Sequence, residues 1–363
     1  MRKLRLISIP LCRENKMKEI LQKYKAKLTL QGEKTLKNAW ESARAVKMLS
    51  PISTVYAKIA EVKSRIVIPY DADIPVICAG NLTLGGAGKT PLAIWLVEHF
   101  KAKGMKPFFL TRGYKGKENG LFKPDFTKEG EGGLESMARK IGDEPSLLLH
   151  YAPVVVDADR ARGAEIAQKN GADIIIMDDG FQNHSLSKNK SILVFDGRVG
   201  IGNGNVFPAG PLREDFVLGL KRAKAAVVVG DDTSGITIKI KSEAPDMPIF
   251  RARLIPDESV AKSLKGKKVL AFTGIGYPSK FFDTLRGIGA EVVKQKAFPD
   301  HHFYSNADIA DLENMAKDEA LIMVTTQKDA VKLAPEFCKN VVVLPVKMAF
   351  ENEKEFISFI GLS

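Results

Sequence analysis

The stretch AGNLTLGGAGKTPLAI, residues 79–94, combines a glycine-rich loop with a GKT triplet. It follows the apolar run IPVICAG and opens a segment predicted to be helical, which is the setting of a phosphate-binding loop, or P-loop. Thr83 stands where the usual G-x-x-x-x-G-K-[ST] pattern has its first glycine. Because that position starts the turn and does not touch the outermost phosphate, the stretch still predicts a triphosphate site.

The loop residues divide between two tasks. The glycines allow the backbone to curl until successive N–H groups point at phosphate oxygens. Lys89 is predicted to bridge the outer phosphates, and Thr90 to place its hydroxyl on Mg²⁺. A glycine-rich turn with an incidental lysine is the alternative. The predicted nucleotide-binding residues are Thr83, Leu84, Gly85, Gly86, Ala87, Gly88, Lys89 and Thr90.

Short apolar runs alternate with helical stretches from Ile74 onward, which predicts an α/β fold with a parallel sheet. The prediction comprises a P-loop NTPase-like domain, a smaller second α/β domain and an N-terminal amphipathic helical arm. Their predicted extents are a basic arm over 1–47, a P-loop domain with a membrane-associated helix over 48–240, and a second domain over 241–363 that completes the cleft. At the junction, ITIKI (236–240) and PIFRARLIP (248–256) are predicted to be extended connectors.

The net charge of +12 is concentrated at the N-terminus, where residues 1–47 contain 13 Lys or Arg and 4 Glu. Apolar residues in this arm recur at helical spacing, which favours an interfacial helix, with a solvated tail as the alternative. No apolar run reaches the ~18 residues of a transmembrane helix. A short helix that follows the arm is predicted to lie on a bilayer through Ile52, Val55, Tyr56 and Ile59.

The rest of the chain is nearly neutral and lacks interleaved aromatic and basic residues, which argues against a nucleic-acid partner. The three cysteines, Cys12, Cys78 and Cys338, form no C-x-x-C pair. A disulfide framework and a zinc site are therefore not predicted, and a reducing cytoplasm is.

Two further motifs carry candidate acid–base and metal chemistry. DIIIMDDGFQ is an apolar strand that stops at Asp178 and Asp179, as in strands that supply a Mg²⁺ carboxylate beside a P-loop. GDEPSLLL starts a helix, and there Asp143 is either an N-cap or a group that receives or orients an attacking hydroxyl. Glu144 would lie near the metal. FPDHHFYS adds a polar aromatic cluster that contains His301.

These blocks together resemble the tetraacyldisaccharide 4'-kinases, the lipid A 4'-kinases of Gram-negative bacteria. The resemblance runs from about residue 48 to about residue 350. It is carried, in the family's order, by GNLTLGGAGKTP, TRGYKG, GDEPSLLL, DDGFQN, FPAGPLRE, AFTGIGYPSKFF, FPDHHFYS and TTQKDAVKL. That family also lacks the first P-loop glycine.

The resemblance implies that ATP, with Mg²⁺, phosphorylates the 4'-hydroxyl of tetraacyldisaccharide 1-phosphate to give lipid IVA. It implies a glycolipid substrate and a peripheral or monotopic position on the anionic cytoplasmic face of the bacterial inner membrane. No nucleic acid and no obligate protein partner is expected. The competing hypothesis is a P-loop nucleotide-switch ATPase or GTPase docked to a membrane or a protein.

The family's functional residues carry over onto matching positions of this sequence. The resemblance implies that Asp143, His301 and Lys89 are catalytic. It implies that the Mg²⁺ site is formed by Thr90, Glu144, Asp178 and Asp179. Contacts to nucleotide or substrate are implied for Tyr114, Arg160 and Arg213. Residues 1–47 have no counterpart in the family.

Overall fold

The computed structural model describes residues 39–114, 116–123, 133–317 and 319–361. The strands are β1 (Val76–Gly80), β2 (Pro107–Thr111), β3 (Gly120–Phe122), β4 (Val154–Val156), β5 (Ile174–Asp178), β6 (Lys190–Asp196), β7 (Ala225–Val229), β8 (Ile249–Pro256), β9 (Lys268–Thr273), β10 (Glu291–Ala297), β11 (Ile322–Thr326), β12 (Val341–Leu344) and β13 (Val346–Phe350). The helices are α1 (Ala43–Ile66), α2 (Lys89–Ala102), α3 (Gly133–Ile141), α4 (Asp143–Leu148), α5 (Arg160–Lys169), α6 (Phe216–Arg222), α7 (Ile236–Glu243), α8 (Glu258–Leu264), α9 (Pro278–Gly287), α10 (Asn306–Lys317), α11 (Gln327–Ala330), α12 (Pro335–Cys338) and α13 (Glu353–Ile360).

The predicted α/β fold is confirmed, and its main feature is a nine-stranded sheet in the order β13-β8-β7-β6-β1-β5-β2-β4-β3. The strands from β8 to β4 run parallel, and the edge strands β3 and β13 pair antiparallel with their neighbours. Strands β1 and β5 are buried on both faces, which explains their uninterrupted apolar sequences. Because β1 and β5 are parallel neighbours, the P-loop and the Asp178–Asp179 pair follow them at the same edge of the sheet.

A second sheet of four parallel strands, in the order β10-β9-β11-β12, forms the smaller unit. Two separate apolar clusters pack on it, one centred on Phe272 and one on Phe282. Its strand β9 ends at Thr273, and the loop that follows faces the P-loop. The second sheet therefore forms part of the wall around the predicted site.

Strands β8 and β13 belong to the nine-stranded sheet, although both lie in the range 241–363 predicted for the second domain. The C-terminal helix α13 packs there too, since Phe356 stacks on Phe350 with ring centroids 4.0 Å apart. We therefore propose that the second unit comprises residues 257–345, inserted between β8 and β13. An extended apolar segment shows in sequence that it forms a strand, but not which sheet it joins.

The ITIKI segment forms helix α7 and not the predicted extended connector. The Asp232 carboxylate accepts hydrogen bonds from the backbone N–H groups of Ile236 and Thr237, at 2.9 Å each, which satisfies the helix N-terminus. Ile236 and Ile240 are buried one helical turn apart. Tertiary burial thus overrides the strand preference of this β-branched run. PIFRARLIP is extended as predicted, but as the paired strand β8.

Helix α1 continues through Pro51 and packs one face on the loop that precedes α6. Ser53 Oγ accepts a hydrogen bond from Ala209 N at 3.0 Å, and Tyr56 lies against Phe207. Tyr56 therefore faces the protein and not the bilayer side predicted for it. A different face exposes an apolar stripe at helical spacing, formed by Met48, Ile52, Val55, Ile59, Val62 and Ile66.

The described residues contain no helix that is both long and apolar enough to cross a membrane. Most of the predicted basic arm, residues 1–38, lies outside the described residues.

Candidate active site

The P-loop connects β1 to the N-terminus of α2, as predicted. Gly85 and Gly88 have φ angles of +113° and +100°, in the region that favours glycine. A Cβ atom on Gly85 would lie 2.8 Å from the ring of Tyr277, which the second unit places over the loop. Both glycines are therefore required by the backbone path, and helix α2 begins with Lys89.

Thr83 is buried at the start of the loop, where backbone contacts hold it in place. The side-chain amide of Asn81 donates to the Thr83 carbonyl oxygen at 2.8 Å. Thr83 also forms an isolated β-bridge with Leu212, and the neighbouring Leu84 N–H donates to Pro211 O at 2.8 Å. The first position of the loop is thus fixed by pairing with the PAGPLRE segment.

Asp178 and Asp179 lie beside the P-loop but have different partners. Thr90 Oγ1 donates to Asp178 Oδ2 at 2.9 Å, and Asp178 Oδ1 is buried without a hydrogen-bond partner. Burial, followed by the negative charge of Glu144, raises the pKa of Asp178 to about 7. A divalent cation beside Asp178 would oppose this shift by stabilising the charged carboxylate. Carboxylate and hydroxyl oxygens are donors that Mg²⁺ prefers.

Asp179 adopts a left-handed backbone conformation, with φ of +55°, and contacts cationic side chains. Its Oδ1 atom lies 2.8 Å from Arg213 Nη1 and 3.8 Å from Lys89 Nζ. Burial raises the pKa of Asp179, but the charges of Lys89 and Arg213 outweigh burial and hold it below its usual range. Asp178 is thus the carboxylate with a buried oxygen that lacks a hydrogen-bond partner.

No group of three or more His, Cys, Asp or Glu side chains within the described ranges could hold a metal ion by itself. Protein-bound Mg²⁺ commonly uses one or two carboxylates and completes its shell with water and substrate phosphates. Thr90 and Asp178 fit that arrangement. Glu144, also predicted for the metal, is 3.1 Å from Lys328 Nζ through its Oε1 atom.

Asp143 and His301 come from different units and are in direct contact. His301 Nδ1 lies 2.8 Å from Asp143 Oδ2 and 2.9 Å from Oδ1. Gly142 precedes the helix, so Asp143 is the first residue of α4 and not its N-cap. Burial raises the pKa of Asp143, but the hydrogen bond from His301 and the charges of Lys328 and Lys332 keep it well below its usual range. Asp143 is therefore an ionised acceptor.

His301 is held in an unusual backbone conformation, with φ of +60°. Its backbone N–H lies 3.2 Å from Gly274 O and 3.1 Å from Asp300 Oδ1. A non-glycine residue in this region is strained, and such strain is concentrated at functional sites. The Tyr114 ring centroid is 5.4 Å from that of His301, which brings Tyr114 to the same place.

Arg160 is buried, unlike Tyr114 and Arg213, the other residues implied to contact nucleotide or substrate. Its guanidinium donates to the backbone carbonyl of Asp157, and burial followed by the charge of Arg112 lowers its pKa to about 10. Arg213, in contrast, lines a cavity of about 530 Å³ between α1 and the body of the protein. Tyr56, Arg65, His184 and Arg222 also line this cavity.

Lys328 and Lys332 contact residues of the site but were not predicted to belong to it, although both lie in the quoted TTQKDAVKL block. Lys328 Nζ lies 3.1 Å from Glu144 and 3.7 Å from Asp300, and so bridges the two units. Burial lowers the pKa of Lys328, but the charges of Glu144 and Asp300 raise it well above its usual value. Lysines in a helical pattern give no sign in sequence that they are buried.

Comparison with known proteins agrees with this geometry. The family model for tetraacyldisaccharide-1-P 4'-kinase matches residues 45–361. The chain belongs to the tetraacyldisaccharide 4'-kinase family. It is 40% identical over 317 residues to the tetraacyldisaccharide 4'-kinase of Rhodopseudomonas palustris, covering 86% of this chain and 91% of that one.

Two further relatives agree with the family assignment. The tetraacyldisaccharide 4'-kinase of Methylobacterium nodulans is 44% identical over 310 residues, covering 85% of this chain and 89% of its own. The crystal structure of LpxK from Aquifex aeolicus in complex with ATP is 27% identical, with a TM-score of 0.67. It covers 87% of this chain and 98% of the LpxK chain. The family therefore retains this fold over nearly its whole length.

Replacement of Gly85 by Ala tests the P-loop geometry. The added Cβ meets Tyr277 at 2.8 Å in a strained φ region, so we expect G85A to lower the free energy of unfolding by about 1–3 kcal/mol. Gly86 is the matched control, because no atom lies within 4 Å of its Cβ position. Urea unfolding of both variants measures the difference. Equal stability of G85A and G86A would contradict the loop conformation.

Proposed function

We propose that the protein transfers the γ-phosphate of ATP to the 4'-hydroxyl of tetraacyldisaccharide 1-phosphate, forming lipid IVA. The observation that carries this proposal is the Asp143–His301 contact beside a P-loop. A nucleotide switch needs the P-loop, but it does not need a catalytic dyad such as Asp143 and His301, placed to receive a proton from an acceptor. Membership of the kinase family supports the transferase and not the switch.

ATP fits the loop because its backbone donors and Lys89 surround the place where the phosphates bind in such loops. That LpxK from A. aeolicus was solved with ATP supports this assignment. Mg²⁺ would be held by Thr90 and Asp178, with Glu144 and Asp179 close by. When bound, it neutralises charge that develops on the transferring phosphoryl group.

In the proposed dyad, His301 accepts the proton and Asp143 orients His301. With its Nδ1–H donated to the ionised Asp143 carboxylate, His301 is oriented and keeps a lone pair on Nε2, which lies 3.5 Å from Asp300 Oδ2. In the proposed step the acceptor oxygen forms a bond to the γ-phosphorus and its proton passes to Nε2. The bond from the γ-phosphorus to the bridging oxygen breaks, and ADP leaves. Asp143, whose pKa is lowered, stabilises the imidazolium and is itself a poor base.

The glycolipid acceptor fits the cavity between α1 and the body of the protein. Arg213 lines this cavity and contacts Asp179, so it connects the acceptor side to the phosphate side. Arg65 and Arg222 also line this cavity, and each is ion-paired with a glutamate that lines it too. Tyr114, beside His301, is proposed to contact substrate. For Arg160, burial favours an indirect part in shaping the site.

The apolar stripe of α1 is proposed to lie in the cytoplasmic surface of the inner membrane, so that attachment is peripheral or monotopic. Its neighbours include exposed Lys and Arg side chains, such as Lys58 and Arg65, which suit anionic lipid head groups. The stripe and the acceptor cavity share this helix. A lipid acceptor could therefore enter the cavity while its acyl chains stay in the bilayer.

The proposed reaction is tested by incubating the protein with γ-labelled ATP, Mg²⁺ and purified tetraacyldisaccharide 1-phosphate in detergent. We expect label on the lipid only when all three are present, with release of one ADP per labelled lipid. ATP hydrolysis that proceeds equally without lipid, together with unlabelled lipid, would favour the nucleotide switch and reject the kinase.

The dyad is tested by Asp143→Asn and His301→Ala. Each change removes orientation or proton acceptance without touching the P-loop, so we expect kcat to fall roughly 10²–10⁴-fold while ATP affinity is retained. Initial rates of lipid phosphorylation and equilibrium nucleotide binding measure the two effects. Turnover at the wild-type rate in either variant would contradict the assigned roles.

Membrane attachment is tested by Ile52→Ser combined with Ile59→Ser on the exposed stripe. Loss of two apolar side chains from the interface is expected to weaken partition into liposomes at least about 10-fold, with little effect on thermal stability. Flotation with vesicles of mixed zwitterionic and anionic lipids measures partition. Thr54→Ser, exposed on another face of α1, is the matched control. Equal flotation of the control and the double variant would show that the stripe is not the anchor.

A further inference from the structure

Lys332 is a fully buried lysine behind the dyad, in the turn that follows α11. Its side chain is 0% exposed, and so is that of Asp329, whose Oδ1 lies 2.9 Å from Lys332 Nζ. A charged group removed from water is costly unless opposite charges surround it. The position of this ammonium is therefore set by the carboxylates beside it.

The first of these carboxylates, Asp329, is itself held rigidly. It accepts hydrogen bonds from Thr273 Oγ1 at 2.6 Å, Gly274 N at 3.0 Å, Tyr304 Oη at 2.9 Å and Thr326 Oγ1 at 2.8 Å. These donors come from the end of β9, the loop before α10 and the N-terminus of α11. Asp329 therefore cannot move toward or away from Lys332 without disrupting the second unit.

The second carboxylate is Asp143 of the first unit. Lys332 Nζ lies 3.9 Å from Asp143 Oδ2, the oxygen that is 2.8 Å from His301 Nδ1. Lys332 Nζ is therefore within ion-pair distance of both carboxylates. The ammonium thus lies between an anchored carboxylate and the dyad carboxylate and attracts both.

The same anchor also reaches His301. Gly274 donates its N–H to Asp329 Oδ1 and accepts the His301 N–H on its carbonyl oxygen, at 3.2 Å. Asp329 therefore helps to position both the backbone of His301 and the carboxylate of Asp143. Lys332 is the link on the Asp143 side.

We propose that Lys332 is a positioning residue, whose buried ammonium holds the Asp143 carboxylate in register with His301. The inference rests on the proposed kinase function and adds a residue to it. Lys332 is fully buried and its ammonium faces the carboxylates of Asp329 and Asp143, so it acts through Asp143. The alternative is that Lys332 only balances the charge of Asp329 and stabilises the second unit.

The experiment compares Lys332→Met in two backgrounds, the wild-type chain and Asp329→Asn. Asparagine keeps an acceptor oxygen for Gly274 and Tyr304 but no longer needs a buried counter-charge. If Lys332 positions Asp143, K332M should lower kcat roughly 10- to 100-fold in both backgrounds and leave the KM for ATP unchanged. If Lys332 serves only Asp329, the double variant K332M/D329N should turn over at the rate of D329N.

Each outcome decides the question. A slower double variant that melts at the temperature of D329N supports positioning, and equal kcat values for the double variant and D329N overturn it. If K332M alone is unstable, kcat of the double variant K332M/D329N can still be compared with kcat of D329N. Lys294→Met, which removes an ion pair of the same unit to Glu319, is the control for general loss and should keep wild-type kcat. Absence of lipid phosphorylation in the wild-type chain would reject the proposed function instead.

Discussion

The contact between Asp143 and His301 is the interaction on which the rest of the site depends, because it joins the two sheets at the point of chemistry. Asp143 begins α4 of the first unit, and His301 lies in the loop after β10 of the second. The second unit is connected to the large sheet at both ends, through β8 and β13. A unit tethered on two adjacent strands keeps its position better than one on a single linker, and a dyad needs accurate placement.

Charge balance is the second constraint, since the site collects carboxylates where water is scarce. Asp143, Asp178, Asp179 and Glu144 lie within one region, and each of three has an identified cation. Asp179 has Arg213 and Lys89, Glu144 has Lys328, and Asp143 has His301 and Lys332. Asp178 is left with the Thr90 hydroxyl and a raised pKa. This unequal distribution supports the proposal that Asp178 contributes to a Mg²⁺ site.

The sequence was most informative where chemistry is carried by residue type and spacing. The P-loop and the acidic strand end have local patterns, whereas the pairing of Asp143 with His301 was implied by the family resemblance; the structure brings these residues together. Lys328 and Lys332 could not be predicted as site residues, because burial of a lysine depends on elements distant in sequence. For the same reason Tyr56 and ITIKI were placed wrongly: the loop at Phe207 and the Asp232 cap that decide them are tertiary contacts.

The segment Phe207–Arg213 explains why a surface helix and a phosphate loop belong to one site. On one side it contacts α1, through Phe207 on Tyr56 and Ala209 on Ser53. On the other it pairs with the start of the P-loop and ends at Arg213, which reaches Asp179. These contacts are direct, so the apolar stripe has a fixed orientation relative to the P-loop. The acyl chains of a lipid acceptor stay in the bilayer while its hydroxyl must reach the nucleotide. This requires a fixed distance and orientation between the membrane-facing stripe and the P-loop.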